Sequence, residues 1–187
     1  MARKKEYSTE VVVEKAMQLF WINGYKMTSM QMLEQEMGIN KFSIYASFGN
    51  KHGLFIESLK CYKQSISITL NTLKKASNGT EAIKQFFYDS VNFNSIGHNT
   101  KGCFVTNTYN EFSESEDELI KTQMISFMTD LKLIIIEKLK TDKTKSNETV
   151  LQQANFLLLA KHGLAAAARV NSSKEIEDYI EMTFKNI

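Results

Sequence analysis

Between residues 28 and 51 stand eight side chains that could act together on a polyanion: Thr28, Asn40, Lys41, Phe42, Ser43, Tyr45, Ser47 and Lys51. They offer two ammonium groups, four hydroxyls, one amide and two aromatic rings. The set holds no nucleophile paired with a base and no group of metal ligands, so it is poorly equipped to make or break bonds. It suits the recognition of a nucleic acid. Hydroxyls, lysines and helix N-termini fix a phosphate backbone, while lysine, serine and the face of an aromatic ring can meet base edges and a thymine methyl. Each residue also has a plainer reading. Tyr45 could be a core tyrosine with its hydroxyl in water, Lys41 a solvated lysine, and Phe42 a side chain packed on the preceding helix.

The elements that must position these groups are two short helices joined at Gly38-Ile39-Asn40. Thr28 or Ser29 caps the first, whose Met30, Leu33 and Met37 point inward; Asn40 caps the second, about Lys41 to Phe48, which ends at Gly49. In the second helix Ile44 and Phe48 face the small core, and Lys41, Ser43 and Ser47 face out. This is the pattern of a helix-turn-helix. An amphipathic helix precedes it, starting at Ser8 or Thr9, carrying Val12, Ala16, Leu19 and Phe20 at helical spacing, and ended by Gly24.

Composition points the same way. Of 187 residues none is proline and eight are glycine, so the turn punctuation of a strand-rich fold is missing and an all-α chain of about nine helices is predicted. The formal charge of +2 resides in residues 1–60, which hold eight Lys/Arg and six Asp/Glu. Arg3, Lys4 and Lys5 form either an idle arm or one that touches phosphate or the minor groove. Cys61 and Cys103 match no zinc spacing, and His52, His98 and His162 are scattered, so no metal and no cofactor are expected. No signal peptide opens the chain and no apolar run approaches the ~20 residues of a membrane span, so a cytoplasmic protein without membrane contact is expected.

Behind the motif, Asn50 opens a long helix, about Lys51 to Ala76. Helices follow at about Thr80 to Asn94 and Cys103 to Phe112, separated by a loop from Ser95 to Lys101. Glu114, Glu116, Asp117 and Glu118 form an acidic first turn for a helix running to Lys140. Thr141 to Asn147 is a polar loop. Two final helices span about Glu148 to Val170 and Lys174 to Lys185.

The motif residues resemble the TetR/AcrR family of one-component transcriptional regulators. The likeness rests on A-x-x-L-F at Ala16–Phe20, G-Y at Gly24–Tyr25, T-S at Thr28–Ser29, M-G-I-N-K at Met37–Lys41, and I-Y-x-x-F-x-N-K-x-x-L at Ile44–Leu54. It covers about the first third of the chain densely. Further on it rests on length, helix count and the string G-C-F-V-T-N at Gly102–Asn107. Ser47 stands where the family often has histidine, Ala46 where it often has an aromatic, and Phe42 is bulkier than the usual small residue. The resemblance implies that Tyr45 hydrogen-bonds a phosphate and that Lys51 grips the same backbone. It further implies an N-terminal DNA-binding domain, residues 1–50, and an effector-binding and dimerisation domain, residues 51–187.

On that reading the chain is no enzyme. It is a dimeric repressor on a palindromic operator, released by a partly apolar small molecule. An activator of the same architecture, or an oxidant or electrophile sensor acting through Cys103, are the alternatives; a helical enzyme is a remote one. The aromatic-rich middle supplies a candidate effector pocket at Phe86, Phe93, Phe104, Asn107, Tyr109, Met124, Phe127, Met128 and His162, with Asn155 as a further polar anchor. Phe156, Ala160, Gly163, Leu164 and Ala167, with Ile176, Ile180 and Phe184, form two apolar stripes. They either build a four-helix dimer seam or seal the chain's own core.

Overall fold

Side-chain oxygens start most of the helices. The computed structural model describes the backbone of residues 7–93, 95–96, 99–185 and 187, and the side chains of residues 7–92, 101–185 and 187. Arg3, Lys4 and Lys5, the side chain of Phe93, and His98 lie outside the described residues. Ser8 caps α1 (Thr9–Met27), Ser29 caps α2 (Met30–Met37), Asn40 caps α3 (Lys41–Phe48) and Asn50 caps α4 (Lys51–Lys75). After α5 (Gly79–Phe93) comes a short antiparallel pair, β1 (Ser95–Ile96) and β2 (Asn99–Thr100), where a loop was expected. Then follow α6 (Phe104–Glu111), α7 (Glu118–Leu139), α8 (Asn147–Ala167) and α9 (Ser173–Phe184). Asp117 caps α7, so Glu114 and Glu116 precede the helix rather than forming its first turn. Ser172 and Glu175 close a capping box on α9. The fold is all-α, with nine helices among the described residues.

Two apolar clusters fill the molecule. The first joins α1, α2 and α3 to the N-terminal half of α4, to α6 and to the start of α7; Phe20, Leu33, Ile44, Leu54, Phe55 and Phe104 are among its most enclosed members. The second joins α5, the end of α7, α8 and α9. The helix-turn-helix therefore shares its core with α4 and α6. It does not hang on a linker, and α4 passes from one cluster to the other.

Gly102 is a fixed point of this arrangement. It sits at φ 68°, its carbonyl accepts the indole N–H of Trp21 at 2.9 Å, and a Cβ there would lie 2.6 Å from the carbonyl oxygen of Ala165. Backbone cannot yield to that contact as a side chain could. Gly102→Ala is expected to lower stability by about 2–4 kcal/mol, from the left-handed conformation and the overlap together, measured by urea unfolding.

Candidate nucleic-acid interface and effector cavity

The face of α3 turned to solvent is set by its phase. Ile44 is fully buried against the first cluster, and this places Lys41, Phe42, Tyr45 and Ala46 outward. Phe42 is 80% exposed, so it does not pack on α2. Ser43 and Ser47, expected to face out, are half-buried. The Tyr7 hydroxyl lies 2.7 Å from Ser47 Oγ and 3.5 Å from the Ser43 carbonyl oxygen, covering that side of the helix. Asn40 Oδ1 accepts the Ser43 N–H at 2.9 Å, and a Glu34 carboxylate oxygen accepts the Lys41 N–H. Lys41 Nζ stands 5.5 Å from the centre of the Tyr45 ring.

Thr28 requires a correction. It is wholly buried and its hydroxyl donates to the Gly24 carbonyl at 2.6 Å, so the hydroxyl is spent inside the chain; Ser29 takes the cap, its Oγ accepting the Met32 N–H. Gly24, with φ 78°, does break α1, yet one further helical turn continues beyond it to Met27. The Glu111 carboxylate, at the end of α6, clasps that turn. It accepts from Tyr25 N–H at 2.8 Å and Lys26 N–H at 2.7 Å, and a Cβ on Gly24 would meet it at 2.9 Å. Only glycine leaves room for this carboxylate while holding a positive φ.

Lys51, at the head of α4, stands 4.4 Å from the centre of the Tyr25 ring, and partial burial lowers its pKa. Its neighbour His52 meets Asp117, the cap of α7, at 2.6 Å. Two acidic residues of the C-terminal half thus reach back: Glu111 holds the last turn of α1, and Asp117 the first turn of α4. Neither contact was visible in the sequence, because each bridges more than sixty residues.

Phe86, Phe127, Met128 and His162 do come together, around a buried cavity that also touches Tyr62 and Ile66 of α4 and Lys161 of α8. Its free volume is about 30 Å3. Beyond it opens a cleft of about 590 Å3 lined by Tyr109, Phe112, Met124, Ile125 and Leu159. Met128 and His162 border both spaces, and His162 Nε2 lies 2.7 Å from Met128 Sδ. Burial, then the adjacent Lys161, lowers the His162 pKa. Phe104 is not in the lining. It is locked among Trp21, Phe55 and Tyr62 at centroid distances of 5.6–6.4 Å. Asn107 is also absent from the lining and donates its amide to the Lys101 carbonyl, while Asn155 is exposed on α8. Cys103, the N-cap residue of α6, is buried at the cavity edge and accepts the Tyr62 hydroxyl at 3.4 Å.

The expected dimer seam is corrected in part. Ala160, Leu164, Ile176 and Ile180 are buried in the second cluster of the same chain. Ala167 and Phe184 are half-buried against it. The apolar stripe left open on α8 runs through Phe156, Leu159, Gly163, Ala166 and Val170, flanked on α9 by Tyr179 and Met182.

An α-helical body carrying a helix-turn-helix at its N-terminal end defines a class of DNA-binding regulators. Residues 12–57 match the family model of bacterial regulatory proteins of the tetR family. The chain is 30% identical over 122 residues to the uncharacterized HTH-type transcriptional regulator YezE of Bacillus subtilis; the match spans 65% of this chain and 63% of that protein's length. It is 24% identical over 178 residues to the HTH-type transcriptional repressor ComR of Escherichia coli, spanning 92% of this chain and 85% of the other. Among solved structures, it superposes on a cysteine mutant of the TetR family transcriptional regulator CifR complexed with a 26-base-pair double-strand operator. The TM-score is 0.85 at 21% identity, covering 98% of each chain. Residues 12–57 thus carry a DNA-binding domain of the tetR type, on a body whose fold matches that of a regulator of the same family.

Among the described residues no group of three or more His, Cys, Asp and Glu could hold a metal ion, and no helix is long and apolar enough to cross a membrane.

Proposed function

We propose that the chain is a homodimeric repressor that binds a palindromic operator through α3 and is released by a small molecule held between α4, α5, α7 and α8. The observation that carries this reading is the double use of α4. Its first turn presents Lys51 and His52 beside the DNA-facing module, and its middle lines the cavity with Tyr62 and Ile66. A ligand that prefers one setting of α4 must then also bias the spacing of two recognition helices, and it can do so only by its differential affinity for the two settings. The relatives named a repressor and an operator-bound regulator support the same reading. The open stripe on α8 and α9 is the surface offered to a second copy. A gel-shift titration with duplexes from upstream of its own gene tests the proposal. Retarded complexes at low salt are expected, and failure to retard any of them would count against it.

Glu111 and Asp117 are the links by which the cavity-bearing half would move the DNA-facing half. Glu111→Ala removes two hydrogen bonds to a partly exposed carboxylate. It is expected to cost about 1–2 kcal/mol, a fall in Tm of roughly 2–8 °C for a chain of this size, and to flatten the effector's influence on operator affinity. An unchanged melting curve would show that the clasp is not formed in solution.

A further inference from the structure

Among the described residues two lysines are buried, Lys138 and Lys161, and they are treated differently. Lys138, 4% exposed, donates to the carbonyls of Lys74 at 2.5 Å and Ala76 at 2.7 Å, closing the C-terminal end of α4. Its charge is accounted for. Lys161, 7% exposed, has no hydrogen-bond acceptor and no ion-pair partner among the described residues; its Nζ stands 5.9 Å from the centre of the Phe86 ring, on the cavity wall. No carboxylate among the described residues lines that cavity. An ammonium set this deep on a cavity wall, with no anion beside it among the described residues, is a group that natural proteins pair or coordinate. Its polar neighbours on the cavity wall are neutral hydroxyls, the Cys103 thiol and the His162 ring, and two of the hydroxyls are engaged elsewhere: that of Tyr62 is given to Cys103, and that of Ser90 to the Phe87 carbonyl.

The volumes are unequal in an informative way. About 30 Å3 of free space beside Lys161 matches two or three water-sized groups, the size of a carboxylate, at roughly 10–15 Å3 each. The adjoining cleft, about 590 Å3 and faced mainly by apolar side chains, is far larger. Among the described residues only the Met128 and His162 side chains are common to both walls, and methionine is a flexible gap-filler.

We infer that the cavity takes a small amphipathic acid, its carboxylate against Lys161 Nζ and its apolar body directed past Met128 and His162 into the outer cleft. This deepens the reading of the cavity as the effector site and rests on it. The acid supplies the acceptor that the chain withholds. Burial also lowers the Lys161 pKa, and a carboxylate beside Nζ would stabilise the charged form against that burial.

The test is isothermal titration of the full chain, without DNA, with octanoate, 1-octanol and octylamine. Octanoate is expected to bind at least tenfold more tightly than the alcohol, and the amine not at all. Lys161→Met, close in shape and uncharged, is expected to abolish the preference for the acid while leaving alcohol binding within about twofold. Equal affinity for acid and alcohol in the unmodified chain overturns the inference, and this comparison needs no variant to fold. So does an acid preference that survives Lys161→Met. Operator anisotropy on the same samples separates the two readings. Octanoate that binds through Lys161 without altering operator affinity keeps the site and removes its regulatory role. Operator release by other compounds, with no acid preference, does the reverse.

Discussion

Phe55→Ala is expected to lower the free energy of unfolding by about 3–5 kcal/mol, enough to cancel much of a domain's stability. The Phe55 ring is fully buried on α4 and meets Phe20 at 5.0 Å, Tyr25 at 4.9 Å, Phe104 at 5.6 Å and Phe112 at 5.7 Å. Two of these rings belong to α1, one to α6 and one to the residue closing α6, so the change opens a void where the DNA-facing module is bolted to the body. The lost transfer energy of the ring and the unfilled cavity add. Removal of an exposed ring of the same type, Phe42→Ala, is expected to leave stability within about 0.5 kcal/mol. Chemical denaturation of both variants checks the pair. A Phe55→Ala protein as stable as the parent would mean that the first cluster is not one core.

The second large effect falls on DNA. Lys51→Ala is expected to weaken binding to all duplexes alike and to reduce the slope of log K against log salt by about one, the signature of one lost phosphate contact. Lys41→Ala should cost about 1–3 kcal/mol on the cognate duplex and narrow the gap between it and a scrambled one. In the free chain the Lys51 ammonium rests over the Tyr25 ring, so leaving it for a phosphate exchanges one partner for a stronger one. Because Lys51→Ala also uncovers Tyr25, its melting curve must be compared first; an unchanged fold with an unchanged salt slope would place Lys51 away from the duplex.

Much of this was written locally. Ser29, Asn40 and Asn50 each sit one residue before a helix and each accepts a backbone N–H from its first turn, so the order of the first four helices follows from cap residues and apolar spacing alone. The phase of α8 was not legible. It is apolar nearly all round: Leu157 and Leu164 face inward while Phe156, Leu159 and Val170 face outward, so either stripe could have been the interior one. Lys161 was hidden for the same reason, a lone lysine in an alanine-rich helix whose burial depends on how α8 docks against α6 and α7. Tyr7, Trp21, Glu111 and Asp117 act across long stretches of chain. Their partners, Ser47, Gly102, the Tyr25 amide and His52, could be found only once the helices were packed. Thr28 misleads because a hydroxyl before a helix looks like a cap; the adjacent Ser29 takes that role and Thr28 turns back to Gly24.

Two copies of α3, carried on a twofold axis and about one helical turn apart, are what the account requires of the molecule on DNA. Titration of a labelled inverted-repeat duplex at concentrations well above the dissociation constant, followed by fluorescence anisotropy, measures this directly. A twofold pair of recognition helices saturates at an even number of chains per duplex, two for a single repeat, with affinity falling steeply as salt rises. Saturation at one chain, or no change in anisotropy in dilute salt with any such duplex, would contradict it.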